Sequence, residues 1–190
     1  MARMMMVLLL LGMAGLGAAP ALADEPKSIG VFSDWEAVTF KDAKGKVCYI
    51  TSHPKKADAA IKNRQLALTY AMVTHRPAEK TFDVVNFVAG YNYKDGSKAT
   101  VEIDNQKLTL YTANNAAWAW DNPTADDQAT DKKLVEAMRK GTSLVLHGTS
   151  ARGTETTDTY SLIGFGKAYA AIGAACGVKV APLPAPPPSQ

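Results

Sequence analysis

The sequence predicts a mainly β domain: an antiparallel sandwich or barrel-like sheet with two short helices, the C-terminal one tied to the sheet by a disulfide. Three observations lead there. Short stretches alternate apolar and polar residues with period two, and turn residues separate them. Only two segments carry helical spacing instead. The chain has only two cysteines, Cys48 and Cys176, the second of them on the last helical segment.

The elements follow in chain order. Arg3 precedes the apolar run Met4 to Leu11, small residues follow, and Ala21-Leu22-Ala23 ends the stretch before Asp24-Glu25-Pro26. That is a cleavable secretory signal over residues 1–23, cut near Ala23. A membrane anchor would need about 20 apolar residues, and this run is shorter and glycine-rich. No cysteine follows the cut, which argues against a lipoprotein anchor. Residues 24–179 then read as one domain, long enough for a proper core.

Within that domain, Ile29–Phe40, Val47–Ser52, Phe82–Ala89, Ala116–Trp120, Ser143–Thr149 and Thr154–Leu162 read as strands. From Leu66 to Met72, Leu66, Leu68, Tyr70 and Met72 share one face, and Ala67, Thr69 and Ala71 share the other. Val101 and Ile103 alternate in one strand, Leu108 and Leu110 in the next, and Asp104-Asn105-Gln106 turns between them. Lys94-Asp95-Gly96-Ser97 is a second turn.

The first helix spans about Asp126 to Lys140. Asp126, Asp127 and Asp131 suit its N-terminal end, and Arg139 and Lys140 its C-terminal end. Thr124 with Asp127 offers a capping box, Gly141 a stop, and Leu134, Val135 and Met138 an apolar face. The second helix spans about Phe165 to Cys176. Phe165, Tyr169, Ile172 and Cys176 lie on one face, which aims Cys176 at the core, and Gly177 is a natural cap. Residues 180–190 hold five prolines and read as an extended or disordered tail.

An exported chain meets an oxidising compartment, so Cys48 and Cys176 are most simply a disulfide. No C-x-x-C motif favours the competing reading, a nucleophilic cysteine. Loss of the signal removes one of 21 Lys+Arg and none of 18 Asp+Glu, so the charge is nearly balanced. That gives no argument for nucleic acid. Membrane contact is at most peripheral.

Chemistry is sparse. His53, His75 and His147 fall in no metal-binding spacing, and the Asp121–Asp131 stretch lacks the calcium-loop pattern, so neither metal nor cofactor is expected. His147, Ser150 and Asp158 invite a triad. However, Gly148 to Gly153 reads G-x-S-x-x-G, and His147 and Ser150 would face opposite sides of a strand. Two features suit binding better. Trp118 and Trp120 share a strand face, as do Tyr91 and Tyr93. Exposed, these rings offer a ligand or partner surface; buried, they are core. Lys41, Lys44, Lys46, Lys55, Lys56, Lys62 and Arg64 outnumber Asp42 and Asp58, a local charge suited to an anionic envelope or host surface.

Taken together, several motifs resemble the invasion-associated locus B family of exported bacterial proteins. They are Gly30-Val31-Phe32-Ser33-Asp34-Trp35, Cys48-Tyr49, Arg76-Pro77-Ala78-Glu79, Ala137-Met138-Arg139-Lys140-Gly141, Gly148-Thr149-Ser150-Ala151-Arg152-Gly153-Thr154, Asp158-Thr159-Tyr160-Ser161-Leu162, Gly164-Phe165 and Cys176. The resemblance implies a periplasmic or surface-associated β-rich domain without a catalytic set. It also implies a part in host-cell invasion, with erythrocytes as the family's known target. The partner is then an unknown envelope or host-surface protein. Small-ligand or carbohydrate binding is the alternative. Within the most specific run, Gly148 and Gly153 permit a tight corner, and Arg152 is expected to fasten it by pairing with Glu155 or Asp158. The polar strand after the corner is expected at an edge or over solvent.

Overall fold

The computed structural model describes residues 24–58, 61–119 and 129–182. The signal segment, the start of the first helix with Thr124, Asp126 and Asp127, Trp120 and residues 183–190 lie outside these.

Alternating residues build the strands, and hairpins join most of them. The strands are β1 (Lys27–Phe32), β2 (Trp35–Asp42), β3 (Gly45–Ser52), β4 (Lys56–Ala57), β5 (Thr69–Arg76), β6 (Thr81–Ala89), β7 (Lys98–Ile103), β8 (Gln106–Ala113), β9 (Ala116–Trp118), β10 (Ser143–Thr149) and β11 (Glu155–Ser161). The helices are α1 (Ala129–Lys140) and α2 (Phe165–Cys176). Ile29–Phe40 is therefore not one strand. Ser33, at φ 53°, and Asp34 turn the chain so that Phe32 faces Trp35. The Asp104-Asn105 turn is where expected, with Ile103 opposite Gln106.

Among the described residues the strands form one antiparallel sheet, ordered β1-β2-β3-β5-β6-β9-β8-β7-β10-β11-β4. The chain leaving β3 forms β4, which pairs with β11 at the far end of that order. The sheet therefore rolls on itself without closing. The Trp35 indole N–H donates to the Ser161 carbonyl at 2.9 Å, bringing β2 and β11 together across the gap.

Register decides which face is inside, because residues directly opposite share a side. Ile50 pairs with Val73, Val73 with Val85, and Ala71 with Phe87, and all are buried. In β5 the inward face is thus Thr69, Ala71, Val73 and His75. Leu66 and Leu68 stand outside the strand in a single 3-10 turn, exposed. The larger apolar side chains of that stretch are not its core face.

Helix α2 packs over β1, β2, β3 and β5. Phe165 meets Trp35 edge-on at 4.9 Å and stacks with Tyr169 at 5.9 Å. Each fully buried ring or branched side chain of this kind stabilises by about 1.5–3 kcal/mol. Cys48 and Cys176 form the expected disulfide, with Cα atoms 6.1 Å apart, and Gly177 caps the helix at φ 67°.

Helix α1 buries Leu134, Val135 and Met138 as expected. Asp131 lies in the first turn, as expected, but it is buried rather than facing water. It is 1 % exposed and accepts the Val85 N–H at 2.7 Å. Burial pushes its pKa up to about 7, against the hydrogen bond from Val85. Next to it, the Tyr169 hydroxyl donates to Asp83, and the Asp83 N–H donates to Nδ1 of buried His75 at 3.1 Å. Burial lowers the His75 pKa, with the Asp83 charge opposing. Arg139 lies over the Tyr169 ring and donates to the Ala181 carbonyl at 2.5 Å. The first residues assigned to the tail are therefore docked on the helices.

Candidate functional site

The Gly148–Gly153 corner is a hydrogen-bonded turn. Ser150 N–H donates to Thr154 O at 2.9 Å, Gly153 N–H to Ser150 O at 2.8 Å, and Thr154 N–H to Ser150 Oγ at 3.1 Å. Gly153 sits at φ 83°, a region that side chains disfavour. Gly148 is needed for a different reason. A Cβ there would lie 2.6 Å from Tyr93 Cε1 and 2.9 Å from the Tyr91 hydroxyl.

Those tyrosines run alongside the corner. Tyr93 bridges to Ser150, Lys94 N–H donates to Thr149 O at 2.9 Å, and Ala151 N–H to Asn92 O at 2.8 Å. Tyr91 and Tyr93 share a face, with ring centres 5.2 Å apart, but they do not form an exposed platform. Tyr93 is 3 % exposed, and Tyr91 is half-buried with its hydroxyl bonded to Thr156 Oγ1 at 2.5 Å. Burial raises the pKa of both phenols, that of Tyr93 far above its ordinary value. Trp118 is half-buried on β9, opposite Asn86 and Tyr111 and apart from the corner. Trp120 lies outside the described residues.

Arg152 does not fasten the corner. It is exposed, Glu155 accepts from Thr149 Oγ1 at 2.9 Å, and Asp158 is held by Arg64. The cause is strand register: Thr156, Asp158 and Tyr160 point inward, away from the turn tip. The polar strand β11 lies next to the end of the sheet, but Thr156 and Asp158 face the interior rather than solvent.

The sequence does not reveal the Arg64–Asp158 pair: Arg64 reads there only as one cation of a local positive charge. Both side chains are 2 % exposed. Arg64 Nη1 donates to Asp158 Oδ1 at 2.8 Å and to Asp58 O at 2.8 Å, and Nε to Ala89 O at 2.9 Å. Its guanidinium lies 5.1 Å from the Tyr91 ring centre. An aspartate in core register between Thr156 and Tyr160 was the available signal, since a buried charge requires a partner. The other basic residues do not merge into one patch. Lys55 pairs with Asp34, Lys44 with Glu79, and Lys46 Nζ donates to Ala175 O.

Above the buried pair opens a cleft of about 360 Å³, lined by Ile61, Lys62, Asn63, Gln65, Gly90, Tyr91, Asn92 and Ser150–Arg152. It brings together Lys62, Tyr91, Ser150 and Arg152 from the sequence candidates and adds Asn63, Gln65 and Asn92. His147, Ser150 and Asp158 do not converge. His147 faces the other side of β10, 3.7 Å from Glu102, while Ser150 points inward and Asp158 is ion-paired. His53 Nδ1 meets Thr69 O at 2.8 Å. Among the described residues, no group of three or more His, Cys, Asp or Glu is placed to hold a metal ion.

Comparison with known proteins fits this architecture. The chain is similar in fold to the crystal structure of invasion associated protein B from Bartonella henselae. The TM-score is 0.51 at 17 % identity, covering 78 % of this chain and 97 % of that one. No curated protein sequence matches. The sequence model described as invasion associated locus B (IalB) protein matches residues 35–173, from the core tryptophan Trp35 to Gly173 on the disulfide-bonded helix. The chain belongs to the invasion-associated locus B family.

Proposed function

We propose that this is an exported, non-enzymatic protein of the cell envelope that acts by contact, with a part in host-cell entry. The observation that carries the reading is the fate of the reactive side chains at the corner. The Ser150 oxygen is engaged by the Thr154 N–H, Asp158 by Arg64, and His147 faces elsewhere, so a nucleophile, a base and an orienting acid are not assembled. What the corner offers solvent is a polar cleft with Arg152 at its edge. Export is supported by the disulfide, which suits an oxidising compartment. Among the described residues, no helix is long and apolar enough to cross a membrane.

The experiment places a photo-reactive residue at position 152 and, as a control, at Lys107 on the β7–β8 hairpin, at the other end of these strands. Cross-linking is done on intact cells with and without host cells. The expected result is a discrete adduct to an envelope or host-surface protein from position 152 and none from position 107. Equal or absent adducts reject contact at the corner. Labelling of Ser150 by a fluorophosphonate rejects the non-enzymatic reading. Export predicts a mature N-terminus at Asp24 and no free thiol before reduction.

A further inference from the structure

We propose that the cleft beside the Gly148–Gly153 corner is a binding site for an acidic sugar residue, that is, a carboxylate-bearing molecule about the size of one monosaccharide. The inference rests on reading this corner as a binding surface and names what enters it.

The walls are pre-formed. Gln65 N–H donates to Gly90 O at 3.0 Å, and Ala151 N–H to Asn92 O at 2.8 Å. The 61–65 loop and the corner are thus both tied to the short Gly90–Asn92 segment, which holds the gap between them open. A gap held open in advance needs little ordering when a ligand enters. Its volume, about 360 Å³, lies at the small end of ligand pockets.

The charge of the lining points to an anion. Lys62 and Arg152 contribute two cations, and no Asp or Glu is among the described lining residues. Arg64 lies beneath, but Asp158 neutralises it, so the field in the cleft comes from the two outer cations. Arg152 presents a planar fork suited to a carboxylate, and its two nearest acids along the strand are engaged elsewhere. The remaining lining favours hydroxyl groups. Asn63, Gln65 and Asn92 each bring an amide that both donates and accepts. Cations for a carboxylate and amides for hydroxyls together describe a uronic acid better than a bare inorganic anion or a neutral sugar.

The test is calorimetric titration of the oxidised mature chain with glucuronate, glucose and inorganic phosphate. Glucuronate is expected to bind saturably, and glucose and phosphate at least about tenfold more weakly. Arg152→Glu and Lys62→Glu are each expected to weaken glucuronate by about tenfold or more with an unchanged melting temperature, since both side chains are exposed. The proposal is overturned if glucuronate fails to bind up to about 10 mM, if Arg152→Glu binds it as well as the parent, or if phosphate matches it. A disaccharide ending in glucuronate separates the sources. Binding equal to the free acid indicates a glycan terminus, and binding of the free acid alone a soluble ligand; either supports the site. If glucuronate fails while position 152 still cross-links a protein, the ligand class falls and the contact reading stands.

Discussion

Replacing Asp131 with asparagine is expected to stabilise the protein at alkaline pH and to change little at acid pH. The carboxyl is 1 % exposed and holds the Val85 N–H, and burial raises its pKa from 3.8 to about 7. Between pH about 4 and 7 the folded state therefore keeps a proton that the unfolded chain releases. Stability from this group is fully present below pH about 4 and is lost as pH rises through 7. A shift of about 3 units corresponds to about 4 kcal/mol, an upper bound reached above pH 7. Asparagine keeps an oxygen for Val85 and cannot ionise, so the mutant should gain most of that amount at pH about 8 and almost none at pH about 4. His75 titrates the opposite way. Burial lowers its pKa from 6.5, so its contribution is present above that value and lost as pH falls. Its effect is common to both proteins and cancels in their difference. Urea unfolding of parent and Asp131→Asn across this range, with the disulfide intact, measures the difference directly. A difference that does not vary with pH would refute the buried, ionisable placement of Asp131. So would a mutant less stable at every pH.

Other expectations follow from the same structure. Cys48→Ser should lower stability by up to about 5 kcal/mol, because the bridge spans 128 residues, and urea midpoints measured with and without reductant check this. Arg64→Ala should cost about 3–5 kcal/mol by leaving Asp158 buried and unpaired, whereas Arg64→Met with Asp158→Leu should recover most of it; a single mutant as stable as the double would contradict the pairing. Gly148→Ala should destabilise by about 1–3 kcal/mol through collision with Tyr93, read as a lower melting temperature. Arg152→Ala should leave the melting temperature unchanged and weaken binding at the corner, the reverse of what a corner-fastening ion pair would give.

The motif at the corner was legible in one dimension and its use was not. Two glycines around Ser150 marked a turn, and both are required, one by φ and one by ring packing. The rings that press on Gly148 come from a segment more than 50 residues earlier in the chain, so no local pattern could show them. The same holds for Arg64 and Asp158, separated by 94 positions. Arg64 has no local feature that sets it apart from the exposed lysines around it.

Sequence alone determined the strand-rich class, the apolar faces of both helices and the pairing of the two cysteines. Periodicity and the lack of any other thiol are properties of the chain itself. Only the tertiary structure decided that Ile29–Phe40 folds as a hairpin, that the small face of β5 turns inward, and that Asp131, Arg64 and Asp158 leave water. Each of these depends on which strand lies opposite, and register is set by contacts between residues far apart in the sequence.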